Sequence, residues 1–404
     1  MEYFTLPNGL KIVCEQVPVR AECFGVAINA GSRDEDPHTY GLAHFVEHTI
    51  FKGTIRRRAS HIINRMEAVG GELNAFTSKE ETNVYSIFPS GNLPRAVELI
   101  ADLLRNSVFP EKELQKEREV VREEIDSYLD TPSEAIFDDF ENLFFRDSQL
   151  GHNILGEETN LDRFTPEICR RYITTHYHPS GMVAFYRGAT SPAKAAALIT
   201  RHFSAIAPSG PNATRRIQPA ILAPFTEKRS IGSHQAHCIM GAHLPGIYSD
   251  ERLALGLLTN ILGGPGMNSR LNVALREKRG LVYSAEANMT LFSDCGLFAI
   301  YFGSDPSDCN RCVNLVRKEL DRLTSAPLSL RAINAARQQY LGQLIVASDN
   351  NEQMALNAGR AMLYFGHVTP ADELRDRILA ITPDQLLHTA RHLRPHLFST
   401  LILS

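Results

Sequence analysis

Tyr40-Gly41-Leu42-Ala43-His44-Phe45-Val46-Glu47-His48-Thr49-Ile50-Phe51-Lys52-Gly53 is the stretch from which the rest of this 404-residue chain can be read. Written as a helix, it places His44 and His48 one turn apart on the same face. Glu47 precedes His48 and lies at the edge of that face. Two imidazole nitrogens at this spacing can bind one cation. A carboxylate beside them can take a proton from a water held at an open coordination position. The order His-x-x-Glu-His inverts the commoner His-Glu-x-x-His arrangement.

Two histidines do not complete a protein zinc site; a third ligand is needed, with one position left open. The acid-rich stretch from Pro110 to Leu129 reads as a long helix carrying Glu111, Glu113, Glu117, Glu119, Glu123, Glu124 and Asp126. Most of these read as a solvated face. Glu117 and Glu124 stand apart because they are seven residues, or two turns, apart on one face, with Val120-Val121 between them. Glu124 is the candidate ligand, and Glu117 is placed to hold the free N–H of a ligating histidine.

Composition narrows the class. Hydrophobic residues make up 43% and charged residues 22%, as in ordinary globular proteins with sizeable cores. A net charge of −4 gives no general attraction to nucleic acid. No window has the apolar length of a membrane span. The start, Met1-Glu2-Tyr3-Phe4-Thr5-Leu6, lacks a basic segment followed by an apolar run, so no signal peptide is expected. Seven scattered cysteines argue against a disulfide framework and for a reducing compartment, and the cytoplasm is the expected location. Cys309-Asn310-Arg311-Cys312 is an isolated pair, read as two helix cysteines without a metal.

The order of elements suggests a duplication. A hairpin-like start over residues 4–16, a strand near 24–30, the motif helix, strand-like 72–88 and an amphipathic helix over 92–104 open the first half. The loop from Gly31 to Pro37 is polar and acidic and reads as surface charge. Ala207-Pro208-Ser209-Gly210-Pro211-Asn212-Ala213-Thr214 reads as a linker. A strand near 235–243, a helix over 251–262 and strands at 282–290 and 296–303 then repeat the outline. The expectation is an α+β protein of two structurally similar domains, 1–206 and 218–404, joined by 207–217, each a mainly antiparallel sheet packed with helices. Aligning Gly53 with Gly264 sets Leu255, Leu258 and Thr259 where the first half has His44, Glu47 and His48, so only the first domain can hold the metal.

His44, Glu47 and His48, followed by Glu117 and Glu124, resemble the pitrilysin-type metallopeptidases, and chain length and duplication resemble their mitochondrial-processing-peptidase branch and its bacterial relatives. The resemblance implies one Zn²⁺ per chain on His44, His48 and Glu124, Glu47 as general base and Glu117 in support. Gly70-Gly71-Glu72-Leu73-Asn74-Ala75-Phe76-Thr77-Ser78 is similar to the family's substrate-facing edge strand, which implies that Asn74, Ala75 and Phe76 bind a peptide as an added strand. Arg276 and Tyr283 match an arginine and a tyrosine, seven residues apart, that contact the substrate from the second domain. Tyr283 is also implied in stabilising the oxyanion. The turn Gly263-Gly264-Pro265-Gly266-Met267 is short, unlike the long glycine-rich loop of the family's non-catalytic subunit.

These readings imply a zinc metalloendopeptidase acting on short or unfolded peptides in an enclosed chamber. Single-chain pitrilysins are about twice as long, so a homodimer, or a heterodimer with a similar chain, is expected. The alternatives are a non-catalytic scaffold subunit of the respiratory-complex core type, and an active subunit that works only beside an inactive partner.

Overall fold

The computed structural model describes residues 1–208 and 215–404, so most of the expected linker, residues 209–214, lies outside the described residues. Two compact units are present, each built on one sheet.

The first sheet has six strands: β1 (Glu2–Thr5), β2 (Lys11–Gln16), β3 (Ala21–Ile28), β4 (Glu72–Thr77), β5 (Thr82–Pro89) and β6 (Met182–Gly188), in the order β1-β2-β6-β3-β5-β4. The second has five: β7 (Thr226–Arg229), β8 (Ala236–Leu244), β9 (Val282–Leu291), β10 (Gly296–Ser304) and β11 (Ser399–Leu403), in the order β7-β11-β8-β10-β9. With β1 set aside, the two orders correspond strand for strand. Each sheet also has one parallel pair at the matching place, β2 with β6 and β7 with β11, and is otherwise antiparallel. The fold is therefore the expected α+β architecture, present twice.

Each sheet is covered on both faces, which explains why its central strands are continuously apolar rather than alternating. In the first unit, Phe24, Val26 and Ile28 of β3 face a core that includes Phe45 and Val46 of the motif helix, Leu99 and Leu103 of helix Leu93–Asn106, and Ile199 and Phe203 of helix Pro192–Phe203. The opposite face, with Val13, Cys23, Ala27 and Phe185, is covered by Ala355, Ala358 and Met362 of helix Asn351–Phe365.

That helix comes from the far side of the linker in sequence. The first unit comprises Met1–Asp126, His152–Ile217 and Ala347–Val368, and the second comprises Ser127–Gly151, Gln218–Val346 and Thr369–Ser404. The units are thus not the contiguous stretches 1–206 and 218–404. Helix Pro132–Phe144 contributes Ile136, Phe140 and Phe144 to the core over Ile239, Leu297 and Leu401 of the second sheet. The exchange is symmetrical in sequence: each exchanged helix directly follows a long helix, Glu111–Leu129 or Leu330–Ala347.

The loop before the motif helix corrects another expectation. Arg33, Asp34 and Glu35 are buried, with Arg33 0% exposed. Arg33 pairs with Glu80 at 2.5 Å, and Asp34 pairs with Arg216 at 2.8 Å. These charges are internal ties rather than a surface tract. All seven cysteines are free and buried. Among the described residues, no helix is long and apolar enough to cross a membrane.

Candidate metal centre

The motif helix runs over Leu42–Thr49. Leu42, Phe45, Val46 and Thr49 point into the core, Phe45 meets Phe164 at 5.3 Å between ring centroids, and the Thr49 hydroxyl donates to the Phe45 carbonyl at 2.6 Å. This anchoring fixes the rotation of the helix and turns His44, Glu47 and His48 to another side. At its start Gly41 has φ +97°, and a Cβ there would lie 2.7 Å from the Leu155 carbonyl oxygen, so the entry turn requires glycine.

Helix Glu111–Leu129 buries Leu114, Glu117, Arg118 and Val121. Arg118 fastens it by donating to the carbonyls of Leu161 at 3.2 Å and Phe164 at 3.0 Å. Glu117 and Glu124, two turns apart, both reach the motif histidines. His44 Nε2 lies 3.7 Å from Glu124 Oε1, and His48 Nε2 lies 3.4 Å from Glu124 Oε2. One donor atom from each of His44, His48 and Glu124 falls within 4.8 Å of the others. Glu117 Oε1 is 3.1 Å from His48 Nδ1, which orients that ring with Nε2 toward Glu124.

The donor set fits zinc. Two nitrogens and one carboxylate oxygen converge from two helices, leaving room for the fourth position of a catalytic site. Among the described residues this is the one group of three such donors, and the second unit offers none. There, Leu255 and Leu258 are buried, and Thr259 spends its hydroxyl on the Leu255 carbonyl at 2.8 Å.

Electrostatics separate the two histidines. Burial, with His48 alongside, lowers His44 to about 3, so it is neutral and has its lone pair free. Burial alone would also lower His48, but Glu117, Glu124 and Glu47 outweigh it and raise the imidazole above its ordinary value. Burial would raise Glu117, yet His48 and Lys52 hold it below the usual carboxylate range. Burial raises the Glu47 carboxyl, with Thr77 and His48 pulling the other way and Glu124 adding to the rise. A carboxylate raised in this way is a better proton acceptor.

Three residues in this arrangement are not anticipated from the sequence: Lys52, Thr77 and Glu35. Lys52 Nζ lies 2.6 Å from Glu117 Oε2. Its position one turn beyond His48 was the available signal. Glu35 meets the first turn of the motif helix, and no local spacing announces it.

Asn74, Ala75 and Phe76 lie on β4, at the open edge of the first sheet beside the motif helix. Ala75 faces the main core, while Phe76 turns to the opposite face and meets Tyr85 at 6.2 Å. Arg276 and Tyr283 belong to the second unit. Tyr283 is the second residue of the edge strand β9, is 83% exposed, and has the Arg276 guanidinium 5.5 Å from its ring centroid.

Comparison with known proteins gives the family. The family model for insulinase, peptidase family M16, matches residues 11–158, and that for the peptidase M16 inactive domain matches residues 163–340. An uncharacterized zinc protease of Streptomyces coelicolor is 35% identical over 398 residues, covering 96% of this chain and 86% of that protein. The chain belongs to peptidase family M16. The uncharacterized zinc protease YmxG of Bacillus subtilis is another relative, 32% identical over 96% of this chain and 95% of its own length. In fold, the M16 architecture extends over the whole chain. A peptidase M16 inactive-domain structure from Pseudomonas fluorescens superposes with a TM-score of 0.90 at 18% identity, covering 100% of this chain and 97% of that one. A protease from Helicobacter pylori gives 0.90 at 21% identity, covering 100% and 99%.

Proposed function

We propose that this M16 chain is a zinc-dependent metalloendopeptidase that cleaves short or unfolded peptides. The observation that carries the reading is the convergence of His44, His48 and Glu124 around one point, with the Glu47 carboxyl beside them and the open edge of β4 alongside. One Zn²⁺ held by these three residues would polarise the scissile carbonyl and acidify a water. Glu47 accepts the proton of the attacking water and returns it to the leaving nitrogen. Glu117, tied to Lys52, holds His48 in its ligating orientation.

The unpaired backbone of β4 over Asn74, Ala75 and Phe76 is where an extended peptide adds as a further strand. Strand addition requires a substrate without structure of its own, which selects short or unfolded peptides. The proposal also assigns substrate contacts to Arg276 and Tyr283, with the Tyr283 hydroxyl donating to the oxyanion. A second copy, or a similar chain, completes the enclosure.

The test is zinc content and peptide cleavage for wild type and Glu47→Gln. The expected result is one zinc per chain in both, with cleavage reduced by about two to four orders of magnitude in the variant. Full activity in Glu47→Gln would overturn the assigned base. A zinc-replete preparation that binds no zinc would overturn the reading altogether.

A further inference from the structure

The motif helix has no side-chain cap of its own. Its N-cap residue is Gly41, which has no side chain to offer the first-turn N–H groups. The N–H groups of Gly41 and Ala43 are instead satisfied by a side chain from outside the helix. Glu35 Oε2 accepts from the Gly41 N–H at 3.0 Å, and Glu35 Oε1 accepts from the Ala43 N–H at 2.5 Å. A carboxylate at this end also complements the helix dipole.

Glu35 is itself held rigidly. It is buried, and His152 Nε2 lies 3.4 Å from Oε2. His152 is fixed in turn by the Ser32 carbonyl at 3.0 Å, by the Tyr40 ring stacked at 3.7 Å, and by Lys79 donating to its own carbonyl. The preceding residues are tied down by the Arg33–Glu80 and Asp34–Arg216 pairs, and Asp34 also accepts from the Gly31 N–H at 3.0 Å. A fixed, buried carboxylate thus grips the backbone immediately before His44.

We propose that Glu35 is a positioning residue for the metal centre: its bidentate grip on Gly41 and Ala43 sets the axial position of the motif helix, and so where His44 and His48 meet Glu124. This rests on the reading of His44, His48 and Glu124 as the zinc ligands. A site of this kind tolerates displacements of only about half an ångström before function falls. Glu35→Gln places an amide NH₂ against one of two N–H donors and breaks one arm of the grip.

The experiment compares wild type, Glu35→Gln and Leu297→Ala, a core substitution in the second sheet that serves as a destabilised control. Zinc affinity is measured by competition with a chromogenic chelator, kcat and KM on a flexible reporter peptide, and exchange of the Ala43 amide by hydrogen–deuterium exchange. In Glu35→Gln, zinc affinity should fall about tenfold, kcat should fall while KM stays within about twofold, and the Ala43 amide should exchange faster. Leu297→Ala should lose thermal stability yet keep wild-type zinc affinity. Equal zinc affinity in Glu35→Gln and wild type, or an equal loss in the control, overturns the role of Glu35 alone. A wild type that takes up no zinc overturns the site reading beneath it, and this role with it. Should Glu35→Gln fail to fold, wild-type exchange decides: an unprotected Ala43 amide overturns the proposal.

Discussion

His48 Nδ1 lies 3.1 Å from Glu117 Oε1, and Lys52 Nζ reaches the other oxygen of the same carboxylate at 2.6 Å. Glu117 is therefore shared between the His48 ring and the Lys52 cation, which keeps it ionised and fixed. Glu117→Gln keeps an acceptor for the ring N–H but removes the charge and the attraction to Lys52. Zinc affinity or activity should fall by roughly 10–100-fold, read by chelator competition and by kcat/KM. Unchanged values for both would show that Glu117 does not support the site.

Tyr283 is 83% exposed at the start of an edge strand, and its hydroxyl contributes little to the stability of its own unit. Tyr283→Phe should leave the unfolding transition unchanged. If the hydroxyl donates to the developing oxyanion, kcat should fall by about 10²–10³-fold with zinc content intact. A variant with wild-type kcat would remove Tyr283 from the reaction.

The candidate site was legible because it depends on helical spacing: His44, Glu47 and His48 within one turn, and Glu117 and Glu124 two turns apart, are local facts. The duplication was legible for the same reason, as the order of strands and helices is written along the chain. What escaped depends on partners distant in sequence. Arg33, Asp34 and Glu35 have the composition of a surface loop, and only Glu80, Arg216 and the backbone of the motif helix turn them inward. The exchange of helix Asn351–Phe365 escaped because its inward residues, Ala355, Ala358, Gly359 and Met362, are mostly small and make a weak apolar stripe. Nothing in those residues says which sheet they cover.

The His152 cluster predicts an acid-sensitive fold. Burial, with Lys79 nearby, lowers His152 from 6.5 to about 3 and holds the ring neutral, while burial pushes Glu35 beside it up and the Ala43 and Gly41 N–H groups pull the other way. Above pH 6.5 neither the folded nor the unfolded chain protonates this imidazole, and its contribution to stability is fully present. As pH falls from about 6.5 toward 3, the unfolded chain binds a proton that the folded chain refuses, costing up to about 1.4 kcal/mol per pH unit. His152→Gln lacks this titration. The gap between wild-type and variant unfolding free energies should therefore change across that window and be flat above pH 7, as measured by denaturant titration at each pH. A gap independent of pH from 4 to 7 would show that His152 protonates in the folded protein.

Two helical glycines give opposite expectations for one substitution. A Cβ on Gly359 would lie 2.5 Å from Cδ1 of Phe185, inside the contact between the exchanged helix and the first sheet. Gly342, in helix Leu330–Ala347, would meet nothing within 4 Å. Helix propensity alone favours alanine by about 0.5–1 kcal/mol at both positions. Gly342→Ala should gain that amount. Gly359→Ala should instead lose about 1–3 kcal/mol, because a ring in a close-packed core must move to admit the methyl group. Urea unfolding of the two variants checks the sign. Stabilisation by both would mean that helix Asn351–Phe365 does not lie against Phe185, and the assignment of that helix to the first sheet would fall with it.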